Sequence, residues 1–444
     1  MPQVLLIASD FPPNLSIASR RPFCLAKYLS VHGWESVVLT IANASRTRAD
    51  HPGICLIESD LMSTPLLVRK FLDIIHGRQE TAESNHNDPM LDILHHQSSS
   101  ERIWITKLRQ ILYYPDRYFL FWFPKAVKKY LQLSKNFKID AIISTAKPFT
   151  THLIAKHIKS KINVPWIADF RDLWPHWQFF KNDNYYHRPK NLPNRLLVYK
   201  ILKTADALVA VTNPSKLLLQ KRFPAKSVYN IPNGFDPEEY ACEIKTHPHK
   251  FLLTHTGHVR TDCQDPEILF KAISHLLQEK RIDKNSIKVR FYGEITDKFK
   301  ADVTKYRISN IVEAKGIRKP RHEIILKQME SSLLLVFAAL HEQNTGTAPG
   351  KIYEYLAARR PVLAIGKPTG ADVLEDIITQ TSAGIYARTL DQIKQTLILS
   401  YDEFMKSAVV KYTPCDNQIE RFSYKNIAQE YTFLLDDLTR EKRA

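Results

Sequence analysis

Gly346-Thr347-Ala348-Pro349-Gly350-Lys351-Ile352-Tyr353-Glu354-Tyr355-Leu356-Ala357-Ala358 is a loop of small residues running into a helix. An apolar run at 333–340 precedes it, and Pro361-Val362-Leu363-Ala364-Ile365 follows. The apolar run is too short to span a membrane and suits a buried strand. Strand, loop, helix and strand in that order make a β-α-β unit with a right-handed crossover. The helix start leaves backbone N–H groups free, and these favour a phosphate. Lys351 falls in the first turn, where the helix dipole disfavours a cation. An anion in front of the helix accounts for it. Glu354 lies one turn on, on nearly the same face. It is placed to accept hydrogen bonds from ribose hydroxyls behind a bound diphosphate. The alternative is that both side chains are merely solvated.

The same alternation extends in both directions. Downstream of Pro232-Asn233-Gly234-Phe235-Asp236, a turn-rich hinge, strands are expected at 251–256, 288–292 and 311–314, with helices at 266–279 and 321–330. Upstream, 4–8 reads as a strand, 18–32 as a helix stopped by Gly33, and 37–40 as the next strand. Strands at 141–144, 166–168, 207–212 and 228–231 follow, with helices at 151–161 and 196–203. Residues 424–438 place apolar side chains at helical spacing and read as an amphipathic helix. The expected fold is α/β: two Rossmann-like, doubly wound parallel-sheet domains facing a cleft. The expected boundaries are 1–230, 231–415, and a C-terminal helix, 416–444, that packs back toward the first domain. Ligands of such sheets bind outside the carboxyl ends of the strands.

Length agrees with two domains, because 444 residues exceed one ordinary domain. The five cysteines, Cys24, Cys55, Cys242, Cys263 and Cys415, are scattered and form no CxxC pair. This argues against a disulfide framework or a zinc site and fits a reducing cytoplasm. The apolar run at 4–8 has no basic residue before it and stops at Asp10, so no signal peptide is expected. The expected location is the cytoplasm, with peripheral attachment to the inner face of the plasma membrane as an option.

The net charge of +17 asks for an anionic partner: nucleic acid, a membrane or a phosphorylated substrate. A solvated basic face is the plainer explanation. No nucleic-acid module is present, and the basic residues are spread over both halves, so nucleic acid is not expected. Residues 102–138 carry nine Lys or Arg, one acid and ten aromatics. Trp104, Tyr113, Tyr114, Trp122 and Phe123 beside these cations suit an anionic lipid surface, or else a core.

Five motifs in order resemble one family. Gly350-Lys351-Ile352-Tyr353-Glu354-Tyr355-Leu356-Ala357 with Pro361-Val362-Leu363-Ala364 is similar to the C-terminal signature of family 4 glycosyltransferases. Ser9-Asp10-Phe11-Pro12-Pro13, with Ser19-Arg20-Arg21, resembles that family's first loop and helix. Asp169-Phe170-Arg171-Asp172-Leu173-Trp174 resembles a motif of its bacterial surface-polysaccharide members, as does Pro115-Asp116 with Trp122. Pro232-Asn233-Gly234-Phe235-Asp236 resembles the step into the second domain.

The resemblance implies the GT-B fold and a nucleotide-diphosphate sugar donor bound mainly by the C-terminal domain. It implies retention at the anomeric carbon, no metal and no further cofactor. The implied acceptor is a glycan or lipid-linked precursor of surface polysaccharide or lipopolysaccharide. Glu354 would take the ribose, with Thr347, Gly350 and Lys351 beside the donor. Gly257 and Arg260 would meet the pyrophosphate, a task suited to the planar arginine fork. Gly293 would permit close backbone approach, and Gly316 and Ile317 would lie against the base. Asp169, Arg171 and Asp172 would be catalytic, facing the donor sugar or acceptor hydroxyl. An internal Asp–Arg pair holding the loop is the alternative. Arg20, Arg21 and His152 fall on the acceptor side.

The chain departs from the family twice. Gly346 stands eight residues before Glu354, where a first glutamate is usual; Glu342 is twelve before. The basic residue usual soon after the arginine is missing, with Lys271 further along. A nucleotide-sugar epimerase or hydrolase, and a non-catalytic scaffold of the same fold, are the competing readings.

Overall fold

The computed structural model describes residues 1–13, 17–42, 53–62, 116–171, 192–242, 249–259, 264, 266–316, 320–339, 346, 348–367 and 370–443. Its first strands are β1 (Gln3–Ile7), β2 (Glu35–Ile41), β3 (Ile54–Ser59), β4 (Ile139–Ala146), β5 (Trp166–Phe170), β6 (Ala207–Ala210) and β7 (Ser227–Asn230). Among the described residues these form one sheet in the order β3-β2-β1-β4-β5-β6-β7. The second series is β8 (Phe251–Thr256), β9 (Ile287–Tyr292), β10 (Val312–Lys315), β11 (Leu333–Phe337), β12 (Val362–Ile365) and β13 (Gly384–Ala387). These form a sheet in the order β10-β9-β8-β11-β12-β13. The ladders on β1, β4, β8 and β11 are parallel.

The central strands are buried and largely apolar because both faces of a parallel sheet are covered. β11 shows this residue by residue. Leu333, Leu335 and Phe337 pack into one core with Phe251, Phe291 and Phe270. Leu334 and Val336 point to the other face, into a core with Ile352, Tyr355 and Leu356 of the helix Lys351–Ala358. The side-chain period of two is what divides them. The first sheet has its own core around Leu5, Ile142, Trp166 and Phe170.

In each sheet the first strand lies inside, flanked by the second and fourth strands of its series. The winding reverses there, so the switch points fall between β1 and β4 and between β8 and β11. The chain divides into two compact units. One holds Met1–Ala210, Leu218–Tyr229 and Tyr431–Ala444, and the other Val211–Leu217 and Asn230–Glu430.

Part of the basic aromatic stretch is core. Trp122 is fully buried and its indole N–H donates to Ser59 Oγ at 2.8 Å. Tyr130 of the helix Phe123–Leu133 is buried too, whereas Phe123 is half-buried. Trp104, Tyr113 and Tyr114 lie outside the described residues. Among those described, no helix is long and apolar enough to cross a membrane.

The Pro232–Asp236 segment is fixed by backbone. Phe235 N–H donates to the Phe422 carbonyl at 2.9 Å, and Tyr424 N–H donates to the Phe235 carbonyl at 2.8 Å. A Cβ on Gly234 would collide with the Phe422 carbonyl oxygen and stand 2.6 Å from Ile427 Cδ1. Asp236 then caps the short turn Pro237–Tyr240, accepting from Glu238 N at 3.1 Å. Gly234→Ala should therefore cost about 1–3 kcal/mol through overpacking and lower the melting temperature of the second unit by several degrees. An unchanged melting temperature would mean that the approach to Phe422 is not the reason for glycine here.

Candidate active site

At the switch point of the second unit, β8 ends in Thr256 and Gly257 follows with φ 106°, while Gly293 follows β9 with φ 145°. These left-handed values favour glycine. Space demands it as well. A Cβ on Gly257 would overlap Lys351 Cε and lie 2.8 Å from Nζ, and one on Gly293 would lie 2.5 Å from the Gly257 carbonyl oxygen. The two glycines let the start of the helix Lys351–Ala358 close over the ends of β8 and β9. Among the described residues, the hydrogen-bond partner of Lys351 Nζ is the His258 carbonyl at 3.5 Å, the outer limit of such a bond. Burial pushes the Lys351 ammonium down from its usual value, and the nearby Glu354 charge opposes that.

Behind Lys351 lies His255, fully buried on β8, whose Nδ1 donates to the Leu335 carbonyl at 2.9 Å. Burial, and after it the Lys351 charge, push this imidazole down to about 3. It is neutral at physiological pH and adds no charge to the site.

Glu354 is held from two sides. Its Oε1 accepts from Arg321 NH1 at 3.0 Å and its Oε2 from Gln328 Nε2 at 3.0 Å. Arg321 also forks onto Glu239, Nε to Oε1 at 2.7 Å and NH2 to Oε2 at 2.9 Å. Gln328 donates to Thr256 Oγ1 at 3.0 Å and accepts from Tyr240 O–H at 3.1 Å. Tyr355 O–H closes the network by accepting from Thr256 N at 3.0 Å. Gly350 precedes the helix with open space around it, and Gly316 is exposed at the end of β10. Gly346, at φ 101°, accepts on its carbonyl from Thr212 Oγ1 at 2.6 Å. Arg260, Ile317, Thr347, Glu342 and Asp172 lie outside the described residues.

In the first unit, Asp169 pairs with Arg21 rather than with Arg171. Arg21 Nε reaches Asp169 Oδ2 and Arg21 NH2 reaches Oδ1, both at 3.0 Å. Tyr431 O–H donates to Asp169 Oδ1 and accepts from Arg21 NH2, each at 2.9 Å. All three side chains are at most 2% exposed. Burial raises the Asp169 carboxyl, but the Arg21 charge and the bonds from Arg21 and Tyr431 outweigh it and hold the group below its usual value. Arg171 donates to the Ala18 carbonyl at 2.8 Å, and both it and Arg20 are half-buried. The two sequence motifs carrying Arg21 and Asp169 thus meet as one buried ion pair. Neither charge faces solvent, which differs from the ligand-facing roles expected from sequence.

His152 is fully buried as well. Ser144 Oγ accepts from the Trp166 indole at 2.8 Å, which leaves its own hydrogen for His152 Nδ1 at 2.7 Å. The imidazole hydrogen then belongs on Nε2, a buried atom without a hydrogen-bond partner among the described residues. Burial pushes the ring down to about 3, with the Asp169 charge opposing.

Residues 23–239 match Glycosyltransferase Family 4. The chain is a glycosyltransferase whose residues 23–239 carry the family 4 domain. Solved structures agree on the fold. Sucrose-phosphate synthase from Thermosynechococcus elongatus aligns with a TM-score of 0.61 at 14% identity, covering 99% of both chains. HepE of Anabaena, in complex with UDP and glucose, gives 0.56 at 13% identity, covering 98% of this chain and 100% of its own. The apo form of WaaB, a lipopolysaccharide outer core galactosyltransferase, gives 0.53 at 14% identity, covering 98% and 99%. No curated protein matches in sequence. The glycosyltransferase therefore has the GT-B fold, and the matched stretch ends before the Lys351–Glu354 helix begins. Among its described residues no three His, Cys, Asp or Glu side chains gather as a metal-ligand set.

Sequence reasoning missed Arg321, Gln328, Glu239 and Tyr431. Each reaches its partner across a long stretch of chain, and no spacing announces the contact.

The two buried histidines give the glycosyltransferase a pH signature. Each takes up a proton near 6.5 when unfolded but only near 3 when folded. The unfolded state binds more protons between these values, so stability rises with pH there, by up to about 1.4 kcal/mol per pH unit for each ring. Asp169 acts in the same direction below its ordinary value. Denaturant unfolding between pH 4.5 and 6.5 should show this slope, and His152→Gln should flatten it by one proton. An unaltered slope in that variant would contradict a neutral, buried His152.

Proposed function

We propose that the enzyme moves a sugar from a nucleoside diphosphate sugar to a glycan or lipid-linked acceptor, with retention at the anomeric carbon and without a metal ion. One observation carries the reading. Lys351, a half-buried cation with no ion pair among the described residues, stands at a helix start against Gly257, one turn before a restrained Glu354. A diphosphate answers the cation and the positive end of the helix dipole. A ribose diol answers the carboxylate. HepE, solved with UDP and with UDP-glucose, supports a donor of this class.

In the proposed reaction the bond between the anomeric carbon and the diphosphate oxygen breaks, and a bond to the acceptor oxygen forms on the same face. The acceptor's proton passes to the departing phosphate, so no separate base is needed. Lys351, Arg260 and the helix start stabilise the growing negative charge on the leaving group. Gly293 and Gly350 leave room for it, while Thr347, Gly316 and Ile317 complete the donor contacts. Arg20, Arg171 and Asp172 serve the acceptor. Asp169 acts through the buried pair with Arg21, and His152 packs behind it.

The role in lipopolysaccharide or other surface-polysaccharide assembly is supported by the lipopolysaccharide enzyme WaaB among the structural neighbours. The exposed Lys125, Lys128 and Lys135 beside the helix Phe123–Leu133 support a site of action at an anionic inner membrane face.

Thermal-shift titration with UDP, GDP, ADP and CMP, each with magnesium or chelator, tests the reading. One nucleoside diphosphate should stabilise the protein regardless of magnesium. Glu354→Gln should weaken it about ten- to hundredfold, the worth of hydrogen bonds to a charged group. Lys351→Met should weaken the diphosphate while leaving the bare nucleoside unchanged. If no nucleotide shifts the melting temperature at millimolar concentration, the donor site is not functional.

A further inference from the structure

The geometry points to Arg321 and Gln328 as positioning residues for donor recognition, set in place by the turn Pro237–Tyr240. This rests on the assignment of Glu354 to the ribose. A glutamate side chain has several rotatable bonds, and freezing them on binding costs affinity. Here the protein freezes them beforehand. Arg321 NH1 takes Oε1 and Gln328 Nε2 takes Oε2, both at 3.0 Å. A carboxylate offers about four acceptor directions, more than these two donors use.

The restraint has a second layer. Arg321 belongs to the helix Arg321–Met329, and its fork is anchored on Glu239 by two bonds of 2.7 and 2.9 Å. One guanidinium thus serves two carboxylates, which a lysine ammonium cannot do with the same geometry. Gln328 is fully buried and its amide is oriented from both ends. Tyr240 O–H donates to its oxygen at 3.1 Å, and its nitrogen faces Thr256 Oγ1 and Glu354. Glu239 and Tyr240 are neighbours in the turn that Asp236 caps. The sequence Pro232-Asn233-Gly234-Phe235-Asp236 therefore has a task beyond linking. It places a turn whose two side chains orient the two groups that orient Glu354.

A merely structural Arg321 would alter melting temperature without altering how the ribose is read. The experiment is calorimetric titration of the full chain with UDP, GDP, ADP and CDP, followed by the 2′-deoxy form of the tightest binder. The wild type should prefer the ribose form by about tenfold, one hydrogen bond to a charged group. Arg321→Lys should lose most of that preference while the nucleotide-free melting temperature stays within a few degrees. Gln328→Met should do the same, and serves if Arg321→Lys does not fold. Placed in a Glu354→Gln background, Arg321→Lys should change affinity no further, because coupled residues are not additive.

Full ribose discrimination in both single variants, with Glu354→Gln weakened, would overturn the positioning role and leave the ribose assignment standing. Wild-type affinity in Glu354→Gln would overturn the ribose assignment itself. Binding of none of the four nucleotides would overturn both.

Discussion

A lysine ammonium lying against the backbone of Gly257 is the contact around which the second unit's site is arranged. It is half-buried and lacks an ion pair among the described residues, so its desolvation is offset only in part, by the Glu354 charge and the His258 carbonyl. That contact explains the glycines. Gly257 and Gly293 sit at φ values that favour glycine, and any Cβ on either would occupy the space of Lys351 or of the Gly257 backbone. It also explains the neutral His255 beneath. A charged imidazole there would repel the lysine, and burial keeps it unprotonated.

The first unit uses the opposite arrangement. Arg21 and Asp169 satisfy each other and Tyr431 completes them, so this charge pair is fully compensated. Breaking such a pair costs about 3–5 kcal/mol because the survivor is left buried and alone. The pair therefore fixes the carboxyl end of β5, from which Arg171 and Asp172 continue. The Tyr431 contact, with the Trp34 indole donating to Asp436 Oδ1 at 2.9 Å, also ties residues 431–444 into this unit.

The legible parts of the fold are those where burial is complete. β8 and β11 are buried along their whole length, and their apolar runs stand out at once. β3 escaped notice because it is an edge strand with alternating exposure, and β13 because it is four residues long and mostly half-exposed. In the site, Lys351 and Glu354 could be read because helical spacing puts them together. Arg321 could not, because its meeting with Glu354 depends on how two helices pack. The pairing of Asp169 with Arg21 instead of Arg171 is the same lesson. A short motif suggests an internal partner, and the tertiary structure supplies one 148 positions away.

The most direct measurement is a crystal structure of the full chain soaked with the nucleoside diphosphate that binds it best. The account predicts the diphosphate within hydrogen-bond distance of Lys351 Nζ and the ribose hydroxyls on Glu354, whose carboxylate keeps its bonds to Arg321 and Gln328. An ordered nucleotide whose phosphates lie away from Lys351, or whose ribose leaves Glu354 untouched, would contradict it.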